Sequence, residues 1–208
     1  MALCLACLPH LGYSEEVNRI EDILRLKTYG ANGDVLVSEN RAHVEGCVIR
    51  LELEKPGACE AGASFFSMTK YIDVQALVAD LGSAEFKDFS GTRYESLKGA
   101  VSYRYRSQYF RELLVASDTE RKISNEEYAN FPTDVASRHK VLSRRYREEI
   151  DPKSYSRSAE TTRFCSGVEF TKPFVGLKFS FYVEPSEANE FAALIEELSQ
   201  TCSAIPNS

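Results

Sequence analysis

Apolar residues recur along the 208-residue chain with two periods, and the order of those periods predicts an α+β domain. In residues 14–29, Val17, Ile20, Ile23 and Leu24 fall at helical spacing, with Ser14 as N-cap and Gly30 and Asn32-Gly33 ending the helix. Period-two patterns follow. Residues 34–38 form a short strand, and residues 44–54 a longer one, with Cys47, Ile49, Leu51 and Leu53 on one face and Arg50, Glu52 and Glu54 on the other. That alternation is the mark of a strand packed on one side. Residues 63–74, 84–89 and 100–106 read as further strands, with a short helical piece at 75–81 and a partner for the third at 109–116, across Ser107-Gln108. Residues 161–170 and 176–183 are the last strands. In the second, Leu177, Phe179, Phe181 and Val183 share a face.

Pro185-Ser186-Glu187 opens the final helix, since proline is tolerated in a first turn and acids favour the N-terminal end. Ala188, Phe191, Ile195, Leu198 and Cys202 are spaced 3, 4, 3, 4, the clearest periodicity in the chain. The predicted architecture is an antiparallel sheet or partly closed barrel capped by this amphipathic helix. To it are added the N-terminal helix and a charged helical insertion over residues 117–160. The insertion carries a helix over 134–150, and it holds too few apolar residues for a core of its own, so residues 15–208 read as a single domain.

The run from Gly176 to Cys202, a strand, then Pro-Ser-Glu, then a helix, resembles the pleckstrin-homology-like superfold in element order. The insertion and the N-terminal helix depart from that compact pattern. The resemblance implies a binding module for a peptide, a protein or an anionic lipid headgroup.

Composition narrows the class. The chain is 43% hydrophobic and 27% charged, which suits a folded domain. Its net charge of -6 speaks against nonspecific nucleic-acid binding, and the expectation of a protein or small anionic ligand as partner rests on the local basic run at residues 138–147. No run of about 18 apolar residues predicts a transmembrane helix. Residues 1–14 resemble the end of a secretory signal peptide: Leu3 to Leu8 are apolar, and Gly12 and Ser14 fill the small positions before a cut ahead of Glu15. The segment lacks a positive n-region. Removal of residues 1–14 leaves four cysteines, Cys47, Cys59, Cys165 and Cys202, an even number that points to disulfides and a periplasmic or secreted location. Spacing does not choose among their three pairings. One pairing joins Cys47 to Cys59 and ties Cys165, on a late strand, to Cys202 on the final helix.

Candidate chemistry is sparse. No HExxH, GxSxG, P-loop, GxGxxG or DxDxDG pattern occurs, and nothing in the chain calls for a metal or cofactor. The strongest local feature is basic. Arg138, Lys140, Arg144, Arg145 and Arg147 lie within ten residues and form a candidate anion- or partner-binding face, followed at once by Glu148, Glu149 and Asp151. In Tyr103-Arg104-Tyr105-Arg106, alternation sends tyrosine inward and arginine to water, which accounts for the cluster without nucleic acid. His43 and Cys47, four apart on a strand, stand about 13 Å apart, beyond proton-transfer reach unless Gly46 bends the chain sharply. His139 shares the apolar side of its helix with Val135 and Leu142. The reading that follows is an exported, non-catalytic binding protein. The alternatives are a hydrolase that gathers His43 or His139 with carboxylates in a pocket, and a cytosolic regulatory domain.

Overall fold

The computed structural model describes residues 10–29, 36–80, 82–91, 98–109, 158–173 and 178–204. Helix α1 (His10–Ile23) leads into β1 (Lys27–Tyr29), and β2 (Leu36–Glu45), β3 (Val48–Glu54) and β4 (Phe65–Asp73) follow. A single 3-10 turn, Val74–Ala76, connects β4 to β5 (Glu85–Asp88) and β6 (Gly99–Arg104). β7 (Ser158–Phe164), β8 (Glu169–Pro173) and β9 (Lys178–Val183) precede a 3-10 turn, Pro185–Glu187, and helix α2 (Ala188–Ala204). All pairings are antiparallel. One sheet has the order β1-β2-β3-β4-β7-β8 and the other β5-β6-β9. The chain is therefore α+β, and among the described strands the sheets do not close into a barrel.

The sheets meet at one corner. Leu77 bridges Tyr105, with Val78 N donating to Arg104 O and Arg106 N to Ala76 O, both at 2.8 Å. The Asp73 carboxylate starts this corner by accepting from Gln75 N at 2.9 Å. Across the interior, the Tyr105 and Ser158 hydroxyls share a 3.1 Å hydrogen bond.

A single apolar core fills the space between the sheets and the two helices. α1 contributes Ile20 and Ile23, and the larger sheet contributes Ala42, Ile49 and Ile72. The smaller sheet adds Val101, Tyr103, Phe179, Phe181 and Val183. The five periodic residues of α2, Ala188, Phe191, Ile195, Leu198 and Cys202, are all buried. Phe181 is central, with ring centroids 4.9 Å from Phe179 and 5.2 Å from Phe191. Truncating a buried phenylalanine of this kind typically costs about 3–5 kcal/mol.

Several expected boundaries move. α1 begins at His10, so Ser14 lies inside the helix and is not its N-cap; residues 27–29 are strand β1. Residues 44–54 are not one strand. The chain reverses at Gly46-Cys47, where Gly46 takes φ 61°, a conformation that glycine adopts without steric penalty. Residues 161–170 also split into a hairpin, β7 and β8, which turns through Gly167 at φ 81°. Residues 107–109 are helical, so Tyr109 does not open the strand expected over 109–116, and the rest of that stretch lies outside the described residues. Residues 158–160 belong to β7 and not to the insertion. The rest of the insertion, including its helix over 134–150, lies outside the described residues.

Candidate functional site

Two disulfides join distant parts of the fold. Cys202, buried on the last turns of α2, pairs with Cys47 in the β2–β3 turn at a Cα–Cα distance of 5.7 Å. Cys59, exposed in the β3–β4 loop, pairs with half-buried Cys165 in the β7–β8 turn at 5.4 Å. This replaces the pairing of Cys47 with Cys59 and Cys165 with Cys202. The β2–β3 turn carries Cys47 to the end of α2, and Cys165 N, donating to Ser64 O at 3.1 Å, brings the β7–β8 turn beside the loop that holds Cys59. As a disulfide sulfur, Cys47 has no thiolate to offer, and His43 pairs across the sheet with Arg50.

The helices frame an open cleft of about 530 Å³, lined by Glu15, Glu16, Asn18, Arg19, Asp22, Glu190 and Leu194. Helical periodicity in α1 places Glu15, Asn18, Arg19 and Asp22 on the side that faces α2. Arg19 spans the gap. Its Nε and Nη2 donate to the Glu190 carboxylate at 2.6 and 2.7 Å, and Nη2 also reaches Glu187 Oε1 at 3.2 Å. Those bonds hold the Glu190 carboxyl below the usual carboxylate range. Burial, together with the neighbouring Glu197, moves the Glu16 carboxyl the other way, above its ordinary value. The cleft is acidic, its one arginine is already paired, and no serine, threonine, cysteine or histidine lines it. It can meet positive charge, and it holds no nucleophile with a base. Among the described residues, no group of three or more His, Cys, Asp or Glu side chains converges to hold a metal ion.

The Tyr-Arg strand behaves as its alternation requires. Tyr103 and Tyr105 are 1% and 6% exposed, whereas Arg104 points to water and pairs with Glu85 at 3.5 Å. Burial pushes the Tyr105 hydroxyl up to about 12, and it raises the Tyr103 hydroxyl as well. Among the described residues, Tyr103 Oη has no hydrogen-bond partner. Arg138, Lys140, Arg144, Arg145, Arg147 and His139 lie outside the described residues. The α1–α2 cleft escaped sequence reasoning because its acids sit on two helices more than 160 residues apart, as the 168-residue separation of Arg19 and Glu187 illustrates. Each helix alone shows only ordinary charged positions.

No protein-family model, curated protein or solved structure matches the chain.

Proposed function

We propose that this chain is an exported, non-catalytic binding protein that works in the periplasm or outside the cell. The observation that carries the reading is the cysteine arrangement: every described cysteine is in a disulfide, and the two bonds close long loops, of 155 and 106 residues. Disulfides persist in oxidising compartments and are rare where thiol reductants are abundant. No helix among the described residues is long and apolar enough to cross a membrane.

We assign the ligand surface to the basic run Arg138, Lys140, Arg144, Arg145 and Arg147, which suits an anionic small molecule or an acidic protein partner. The strand-to-helix order from β9 through Pro185 into α2 supports the pleckstrin-homology-like reading, in which such a surface serves as a docking site.

Thiol counting on protein purified from its native host under alkylating conditions tests the compartment. Blocked Cys47, Cys59, Cys165 and Cys202 are expected; free thiols at all four would overturn export. Replacing Arg138, Lys140, Arg144 and Arg145 by serine tests the surface, with inorganic phosphate and anionic phospholipid vesicles as separate probes. Binding of either that is lost in the variant, at unchanged Tm, supports the surface. Equal binding by the native and substituted chains removes it.

A further inference from the structure

Strand β9 forms one edge of the smaller sheet, and two hydrogen bonds on the far side of β6 fix which way its backbone groups point. Phe89 N donates to Lys98 O at 2.9 Å, and Val78 N donates to Arg104 O at 2.8 Å. Even-numbered residues along β6 therefore turn their backbone groups toward β5 and the corner segment. The odd-numbered Gly99, Val101 and Tyr103 turn theirs toward β9, where they meet Val183, Phe181 and Phe179. It follows that Lys178, Ser180 and Tyr182 direct their N–H and C=O groups outward, where no described strand pairs with them. An open row of such groups is a template for another strand.

The other edges are blunted. β1 is three residues long with an irregular register. β5 is Glu-Phe-Lys-Asp, charged at three of its four positions and exposed throughout. β8 ends in Pro173, which has no N–H to offer. β9, Lys-Phe-Ser-Phe-Tyr-Val, has one charge at its start and no proline or bulge.

We propose that β9 pairs with β9 of a second copy of this chain, antiparallel about Ser180, joining the two three-stranded sheets into one. The strand is its own complement. Phe179-Ser180-Phe181 reads the same in both directions, so this register sets Phe179 opposite Phe181 on the core side of the sheet. On the outer side it sets Ser180 opposite Ser180 and Lys178 opposite Tyr182. No lysine then faces another, and each Lys178 keeps its ion pair with Glu85 of its own sheet. A slip of one residue would place the buried phenylalanine face against the polar face, which excludes the odd registers, and of the even ones only the register about Ser180 pairs all of Lys178, Ser180 and Tyr182 within β9. Each outward residue exchanges a pair of N–H···O=C bonds with its counterpart.

Light scattering on the full chain tests this. A mass twice 23.4 kDa is expected at high concentration, falling to the monomer on dilution. S180K sets two lysines against each other on the axis, and its side chain leaves from the half-buried outer face, so the dimer is lost while the circular-dichroism spectrum is kept. S180C supplies a second readout. Hydrogen-bonded antiparallel residues stand about 5.5 Å apart at Cα, inside the disulfide range, so mild oxidation gives a covalent dimer linked through the introduced thiols. A chain that stays monomeric at every concentration overturns the proposal. So does a dimer that survives S180K and leaves S180C unlinked.

Discussion

Cys202 stands 5.7 Å from Cys47, Cα to Cα, although 155 residues of chain separate them. The contact is backed by polar bonds. Gln75 Nε2 donates to Cys202 O at 2.6 Å, and Val74 N donates to Cys47 O at 2.9 Å. The end of α2, the β2–β3 turn and the turn after β4 thus meet at one point. A crosslink that closes so long a loop removes much of the freedom of the unfolded chain, about 5 kcal/mol in the chain-entropy picture. Replacing Cys47 and Cys202 together by alanine is expected to lower unfolding stability by about 2–5 kcal/mol. Urea unfolding of the variant checks this. A loss below about 1 kcal/mol, the scale of an ordinary point substitution, would mean that the bond adds little to the fold.

The two disulfides differ in access. Cys59 is exposed and Cys165 half-buried, whereas Cys202, on the core side of α2, is 1% exposed and Cys47 half-buried. Thiol attack needs a path to sulfur. Graded dithiothreitol treatment, followed by alkylation and mass mapping, is expected to open Cys59–Cys165 well before Cys47–Cys202. Simultaneous opening, or the reverse order, contradicts the burial argument.

Tyr103 and Tyr105 are two residues apart on the same buried face, and their hydroxyls have different fates. The Tyr105 hydroxyl bonds to that of Ser158 at 3.1 Å, whereas Tyr103 Oη has no partner among the described residues. A net hydrogen bond is worth about 1 kcal/mol, and an unmet buried polar group carries a penalty of about 1–3 kcal/mol. Tyr105→Phe is therefore expected to destabilise by about 1 kcal/mol, and Tyr103→Phe to be neutral or stabilising. Chemical denaturation of both variants decides the matter, and equal losses at the two positions would refute it.

How much of this was legible beforehand depends on where the information lay. The buried stripe of α2 and the inward set Phe179, Phe181 and Val183 were readable because each is a periodic signal within one element. The β2–β3 and β7–β8 hairpins were not. Gly46 and Gly167 interrupt these stretches without an Asn-Gly or Asp-Gly signal, and apolar residues continue on both sides of each glycine. The disulfide pairing was illegible for a different reason. It depends on Gly46 reversing the chain and on β7 returning beside β4, and neither is encoded near a cysteine. The α1–α2 cleft likewise exists only after α1 has docked beside α2, through Arg19. The basic run at residues 138–147 was legible as a sequence feature alone.

Alkaline pH offers a last test of the core. Burial raises both Tyr103 and Tyr105 above the ordinary tyrosine value of 10.0, Tyr105 to about 12. The folded chain therefore favours the neutral phenols more strongly than the unfolded chain does. For groups raised in this direction, the stability contribution is fully present below the unfolded pKa, near 10, and is lost as pH rises through the folded value. Stability is expected to stay level with respect to these tyrosines between pH 7 and 9, their contribution being fully present there, and then to fall from about pH 10 toward 12. Tyr105→Phe removes one titrating group and flattens that fall, even though it weakens the fold at neutral pH. Tyr103→Phe flattens it too, without that loss. Urea midpoints measured from pH 7 to 11.5 on the three chains separate the cases, and three parallel curves would show that neither phenol is as deeply buried as the structure places it.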